Sequence, residues 1–98
     1  MTIREMIRKT QDNLRGYCIQ NRAWQTTISP EKLYVTLWHY TTPMLEWRTD
    51  HPQSHWVGIS LGYGSVSDQN GMNIAFRELN IPARYDRSGG VPRITRLI

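Results

Sequence analysis

The chain has 98 residues, with twelve basic and eight acidic side chains and a net charge of +4. That length suits one domain, residues 1–98, with a modest core, and four tryptophans and five tyrosines supply buried area that the low apolar content would otherwise lack. The aromatic content excludes a disordered chain, a single cysteine excludes an intramolecular disulfide and a thiolate zinc site, and no apolar run approaches the ~20 residues of a spanning helix.

Charge is distributed unevenly. Residues 1–22 hold five basic and two acidic side chains, residues 84–98 four arginines and one aspartate, and residues 23–83 three basic and five acidic side chains. Ten of the twelve basic residues are arginine. Arginine forks onto phosphates and carboxylates and stacks on flat rings, so the basic ends point to a binding surface.

The opening, MTIREMIRKTQ, is charged and lacks the apolar centre of a signal peptide. Residues 2 to about 19 are predicted as an amphipathic helix, with Ile3, Met6, Ile7, Thr10, Leu14, Tyr17 and Cys18 at helical spacing. Thr2 and Glu5 form a T-x-x-E capping box at its start. Arg4, Arg8, Arg15 and, if the helix runs on, Arg22 lie within about 40° of one another around the axis, a basic stripe beside the apolar face.

NRAWQTTISPEK is predicted as a connector, anchored by Trp24 and ending in a helix-start signal at Ser29 and Pro30. LYVTLWHYTTPMLEW is rich in β-branched and aromatic residues and favours strand, with a helix over 30–40 as the alternative and a bend or sheet edge at Pro43. RTDHPQSH is a polar turn. HWVGISLGYG follows as a second strand, with Val57, Ile59, Leu61 and Tyr63 on one face and Gly58, Ser60 and Gly62 on a bare face that admits a close neighbour. Residues 66 to 79 are helical in pattern, with Met72, Ala75, Phe76 and Leu79 on one side. Gly89 and Gly90 mark a hairpin turn between two short final strands. The expected fold is α+β, in the order α-β-β-α-β-β, with an antiparallel sheet packed against the N-terminal and central helices.

LGYGSVSDQNGMN, residues 61–73, has the layout of a phosphate loop but not its parts. No lysine lies there, and the G-x-G-x-x-G pattern fails at Ser67. Helix capping fits it better. Ser65 and Asp68 make an S-x-x-D pair, and Ser67 is an alternative cap, with Asp68 at the positive end of the helix.

The same region carries a likeness. LWHYTTPMLEW, a short turn and GYGSVSDQNGMN together resemble a family of small, mostly uncharacterised bacteriophage proteins. In that family a strand with an H-x-T motif leads through a hairpin to a W-x-T-x-[ST] corner and a helix containing R-[MI]-N. His39, Thr41 or Thr42, Ser65, Ser67, Met72 and Asn73 match, Tyr63 replaces the usual tryptophan, and Gly71 replaces the usual arginine. The resemblance covers about residues 33–80. It implies a phage or prophage accessory protein acting in the bacterial cytoplasm, where many short phage proteins bind and disable host machinery such as CRISPR effectors and restriction systems.

Catalytic chemistry is not expected. His51 and His55 lie four apart, but Pro52 breaks the helix that a shared metal would need. His39, between two aromatics, is predicted as a hydrogen-bonded structural histidine, and Cys18 as a small buried hydrophobe. The carboxylates suggest no acid–base pair. No metal and no cofactor are expected. The reading is therefore a non-enzymatic inhibitor of a host defence complex, an anti-CRISPR protein being the first example to test. Its basic surface would comprise Arg4, Arg8, Arg15, Arg22, Arg84, Arg87, Arg93 and Arg96. The partner would be a host defence protein or ribonucleoprotein complex, with no membrane involved and a homodimer admitted. A small basic nucleic-acid-binding protein is the alternative, and a small hydrolase or nuclease the third reading.

Overall fold

A computed structural model describes residues 1–97. The fold is α+β, with two helices, a five-stranded antiparallel sheet and a separate two-stranded hairpin. The elements in chain order are α1 (Ile3–Asn13), β1 (Cys18–Ile19), β2 (Trp24–Ile28), β3 (Tyr34–His39), β4 (Thr42–Arg48), β5 (Trp56–Gly58), α2 (Val66–Glu78), β6 (Ala83–Ser88) and β7 (Val91–Arg96). Strands β1 to β5 form a meander in sequence order, and β6 pairs with β7.

Helix α1 begins as expected, with Thr2 and Glu5 closing the capping box in both directions at 3.1 Å. It ends earlier than expected, at Asn13, where Leu14 turns into the left-handed region (φ 52°). The apolar spacing continues past this point, but the chain does not. Gly16 passes so close to β2 that a Cβ there would lie 2.4 Å from the Thr26 carbonyl oxygen. Tyr17 and Cys18 therefore belong to the approach to β1, and Cys18 is exposed, not buried.

The expected connector is mostly strand. Trp24–Ile28 pairs along its whole length with β3, which adds β1 and β2 to the expected order, and the one strand expected over LYVTLWHYTTPMLEW is a hairpin, β3 and β4, turning at Tyr40 and Thr41. Ser29 caps no helix; its hydroxyl accepts from the amides of Leu33 and Tyr34 and shapes the turn into β3. Pro43 lies inside the sheet near the start of β4, opposite Trp38, where a bulge between Leu37 and Trp38 shifts the register. The bulge removes the need for a ladder donor at that point.

The sheet buries one face. Cross-strand partners Trp24 and His39, Thr26 and Leu37, and Val35 and Trp47 point under the helices, while Gln25, Thr27, Thr36 and Glu46 occupy the other face. This alternation is the signature of an antiparallel sheet solvated on one side. Contacts across the layer tie helices to strands. The Thr10 and Thr26 hydroxyls share a 2.7 Å bond, Trp47 donates to Gln11 at 2.8 Å, and Phe76 meets Trp56 edge-on at 5.6 Å between centroids.

Helix α2 matches the expected span, and Met72, Ala75, Phe76 and Leu79 are buried as their spacing predicts. The final hairpin turns at Gly89 and Gly90, both at positive φ, as expected. It packs beside α2, where Asn73 bonds both the amide and the carbonyl of Tyr85. The segment expected as a second long strand is strand only over Trp56–Gly58, and its predicted apolar face is exposed. The close neighbour of Gly58 is Ile94 of β7, not an aromatic or α1; a Cβ on Gly58 would lie 2.7 Å from that side chain.

Candidate functional site

The corner at residues 61–68 meets the end of β3, and the packing beneath it places His39. Gly71 sits mid-helix, where glycine costs stability, because the Trp24 ring occupies the space of its Cβ at 2.2 Å. Trp24, thus pressed between α2 and the sheet, stacks on its cross-strand partner His39 with centroids 4.0 Å apart and planes 9° apart. The imidazole is held flat, with both nitrogens directed along the edge of the ring.

Those nitrogens meet two neighbouring residues of α2. His39 Nδ1 lies 2.6 Å from Asp68 Oδ1, and His39 Nε2 lies 3.3 Å from Ser67 Oγ. Asp68 is 2% exposed, and its second oxygen accepts from the amides of Tyr63 at 3.0 Å and Ser65 at 3.2 Å. Gly62, at φ 64°, lets the loop wrap the carboxylate, since a Cβ there would lie 2.7 Å from Asp68 Oδ2. Burial pushes the Asp68 carboxyl up, but hydrogen bonds from His39, Ser65 and Tyr63 outweigh it and hold the group below its ordinary value. Burial, with the Asp68 charge nearby, pushes the Tyr85 phenol above its ordinary value. An ionised Asp68 only accepts, so His39 Nδ1 donates to it; in the neutral ring Nε2 is then the acceptor.

Ser65 and Asp68 therefore form the helix cap that their spacing predicts, each taking up the other's backbone amide. Ser67 does not cap. It stands two residues past the N-cap, exposed, with its hydroxyl towards His39. His39 is hydrogen-bonded, as expected, but its partners Asp68 and Ser67 lie 29 and 28 residues away along the chain. The sequence signal for it was slight: His39 and Ser67 both match the H-x-T and corner motifs, while Asp68 stood out only as a cap. A pocket of about 360 Å³ opens over the three side chains, lined also by Tyr40, Thr41, Thr42 and Tyr63.

The loop is secured from the hairpin side. The Tyr85 hydroxyl donates to the Leu61 carbonyl, and the Arg87 guanidinium donates to that of Gly64. Arg87 thus braces the corner.

The other predicted arginines do not assemble into one stripe. Arg4 and Arg8 both reach Glu78 on α2, at 3.8 and 3.1 Å. Arg15 lies over Tyr17 and Arg96 over Trp56, at 5.1 and 4.4 Å from the ring centroids, and Arg84 pairs with Asp86 at 3.1 Å. Arg15 and Arg22 lie beyond the end of α1, Arg22 in the turn between β1 and β2. Arg93 sits on the exposed hairpin. Helix α2 packs against both α1 and β6 and connects the two basic segments, bringing the acidic Glu78 to the N-terminal one.

A second exposed feature adjoins the pocket. Val57, Ile59, Leu61 and Tyr63 are exposed in alternation along the outer edge strand and the segment after it, Tyr63 at 92%. Tyr40, at φ 55° in the β3–β4 turn, is exposed at the pocket rim. Among the described residues no cluster of three or more histidine, cysteine or acidic side chains could hold a metal, and no helix is long and apolar enough to cross a membrane. Compared with known proteins, the chain matches no family model, no curated protein and no solved structure.

Proposed function

We propose that the protein is a bacteriophage-type accessory protein that disables a host defence complex by docking on it. The observation that supports this reading is the exposed apolar row Val57, Ile59, Leu61 and Tyr63 on the outer edge of the sheet, continued at the pocket rim by Tyr40. Strand β5 is paired on one side only, so its outer backbone edge carries no neighbouring strand. An apolar row beside an open edge suits strand addition, with backbone bonds supplying affinity and alternate side chains supplying specificity. Exposed tyrosines are the residue type that anchors protein interfaces. The arginines around this row contribute charge at the rim, where they affect association rate more than affinity. The family likeness of residues 33–80 accounts for the phage setting, the bacterial cytoplasm and the choice of defence systems as targets.

The test is phage challenge in hosts carrying defined defence systems, CRISPR effectors first, followed by pull-down of the tagged protein. The expected result is protection of the phage and co-purification of one defence complex, both lost in Val57→Lys/Ile59→Lys without loss of folding. Tight binding to naked DNA or RNA that falls steeply with salt, with no effect on any defence complex, would replace this reading with a nucleic-acid-binding one.

A further inference from the structure

The corner carries an arrangement that docking does not use. We infer that Ser67, His39 and Asp68 form a serine acyl-transfer site, with the adjoining pocket receiving the acyl group of a small ester.

The parts stand in the order that the chemistry requires. Ser67 offers an exposed hydroxyl at the edge of the pocket. His39 Nε2 lies 3.3 Å from it, close enough to take its proton once substrate draws the pair together. Asp68, bonded to Nδ1 at 2.6 Å, orients the ring and stabilises the imidazolium that forms. Asp68 is a positioning residue, itself held by the Tyr63 and Ser65 amides. The stacked Trp24 prevents the ring from turning away. Of the four amides that open α2, that of Asp68 is taken up by the Ser65 hydroxyl and that of Gln69 by the Ser65 carbonyl. Those of Val66 and Ser67 remain, donors beside the nucleophile for the oxyanion of a tetrahedral intermediate.

In the reaction, Ser67 Oγ attacks the ester carbonyl carbon as its proton passes to His39 Nε2. The tetrahedral intermediate collapses, the bond to the alcohol oxygen breaks, and the departing alcohol takes the proton from Nε2. Water then attacks the seryl ester by the same route, releasing the acid and restoring the Ser67 hydroxyl. The balance is ester plus water to acid plus alcohol, with no metal or redox partner required.

The arrangement also differs from a cap. A cap needs only Ser65 and Asp68, which already satisfy each other's amides. The Ser67 contact with His39 adds nothing to that exchange, and Ser67 is free to change without disturbing it.

The test uses the full chain and two probes, a fluorophosphonate and p-nitrophenyl acetate. The fluorophosphonate should form one Oγ–P bond with loss of fluoride, located at Ser67 by peptide mass spectrometry, in folded but not in urea-denatured protein. Ser67→Ala should abolish labelling and ester turnover while its melting curve stays at the wild-type position. His39→Gln should slow labelling by at least about a hundredfold. Asp68→Asn, if folded, should lower kcat for p-nitrophenyl acetate with KM unchanged. A folded wild type that resists a probe concentration sufficient for a control serine esterase would overturn the inference. So would a label on Tyr63, or labelling that persists in Ser67→Ala. The docking variant Val57→Lys/Ile59→Lys should label normally, so a failure of the docking reading and a failure of this one are separately visible.

Discussion

Removing the Asp68 carboxylate should cost far more than removing the Ser67 hydroxyl, although the two are neighbours in one capping motif. Asp68→Ala strips the acceptor from His39 Nδ1 at 2.6 Å and from the Tyr63 and Ser65 amides at 3.0 and 3.2 Å. A hydrogen bond to a charged group contributes about 1.5–3 kcal/mol, and each buried donor left without a partner costs about 1–3 kcal/mol. The three contacts share one carboxylate and do not add fully, and water can reach the loop amides. The net loss is therefore about 3–5 kcal/mol, one hydrogen bond to a charged group plus the part-buried donors left without a partner. A plain cap would cost about 1 kcal/mol, as the spacing alone suggests. Ser67→Ala removes an exposed hydroxyl outside the cap and should stay within about 0.5 kcal/mol. At about 4–8 °C per kcal/mol for a domain of this size, the first variant should melt at least ~12 °C below wild type and the second within a few degrees. Urea titration followed by tryptophan fluorescence and thermal melting by circular dichroism would measure both. A loss below about 1 kcal/mol in Asp68→Ala would refute the reasoning. Equal losses in the two variants would refute it as well.

Gly71→Ala should destabilise by about 2 kcal/mol despite the better helix propensity of alanine, because its Cβ would meet the Trp24 ring at 2.2 Å; urea unfolding measures this, and a more stable variant would show that the ring can move. Stability should also depend on acid through Asp68. Its folded value lies below the ordinary one, so its contribution is complete above the unfolded carboxylate's value of about 3.9 and is lost as pH falls through the folded value. Thermal melts from pH 6 downward should show this loss in wild type and a smaller one in Asp68→Asn. Arg87→Ala should cost about 1 kcal/mol through the lost bond to the Gly64 carbonyl, while Arg93→Ala should stay within about 0.5 kcal/mol; denaturant midpoints compare them.

Most local signals held, the helix start expected at Ser29 and Pro30 being an exception. The Thr2–Glu5 and Ser65–Asp68 caps, the α2 span with its buried Met72, Ala75 and Phe76, and the Gly89–Gly90 turn each depend on residues within a few positions of one another. The same approach overextended α1, because apolar spacing continued to Cys18 while the chain turns at Leu14 and passes close against β2 at Gly16. It read QTTIS as connector because polar residues on the solvent face of β2 hide the alternation of Trp24 and Thr26. Val57, Ile59 and Leu61 share one face by pattern, but the pattern does not show that β5 is an edge strand whose apolar face is exposed.

The sequence by itself determined the α+β class, both helix starts and the last hairpin, since capping, turn geometry and side-chain periodicity are set by near neighbours. It also singled out His39 as a hydrogen-bonded histidine and Ser65, Ser67 and Asp68 as capping residues, without linking the two. Only the tertiary structure decided that they touch. The meander brings the end of β3 to the start of α2, Gly71 admits the Trp24 ring, and that ring fixes the imidazole between a buried carboxylate and an exposed hydroxyl. The arginines show the same division in reverse. Their number was plain from the sequence, but Glu78, Asp86, Trp56 and the Gly64 carbonyl, which engage five of them, are brought to them by packing and pairing that no run of charge encodes.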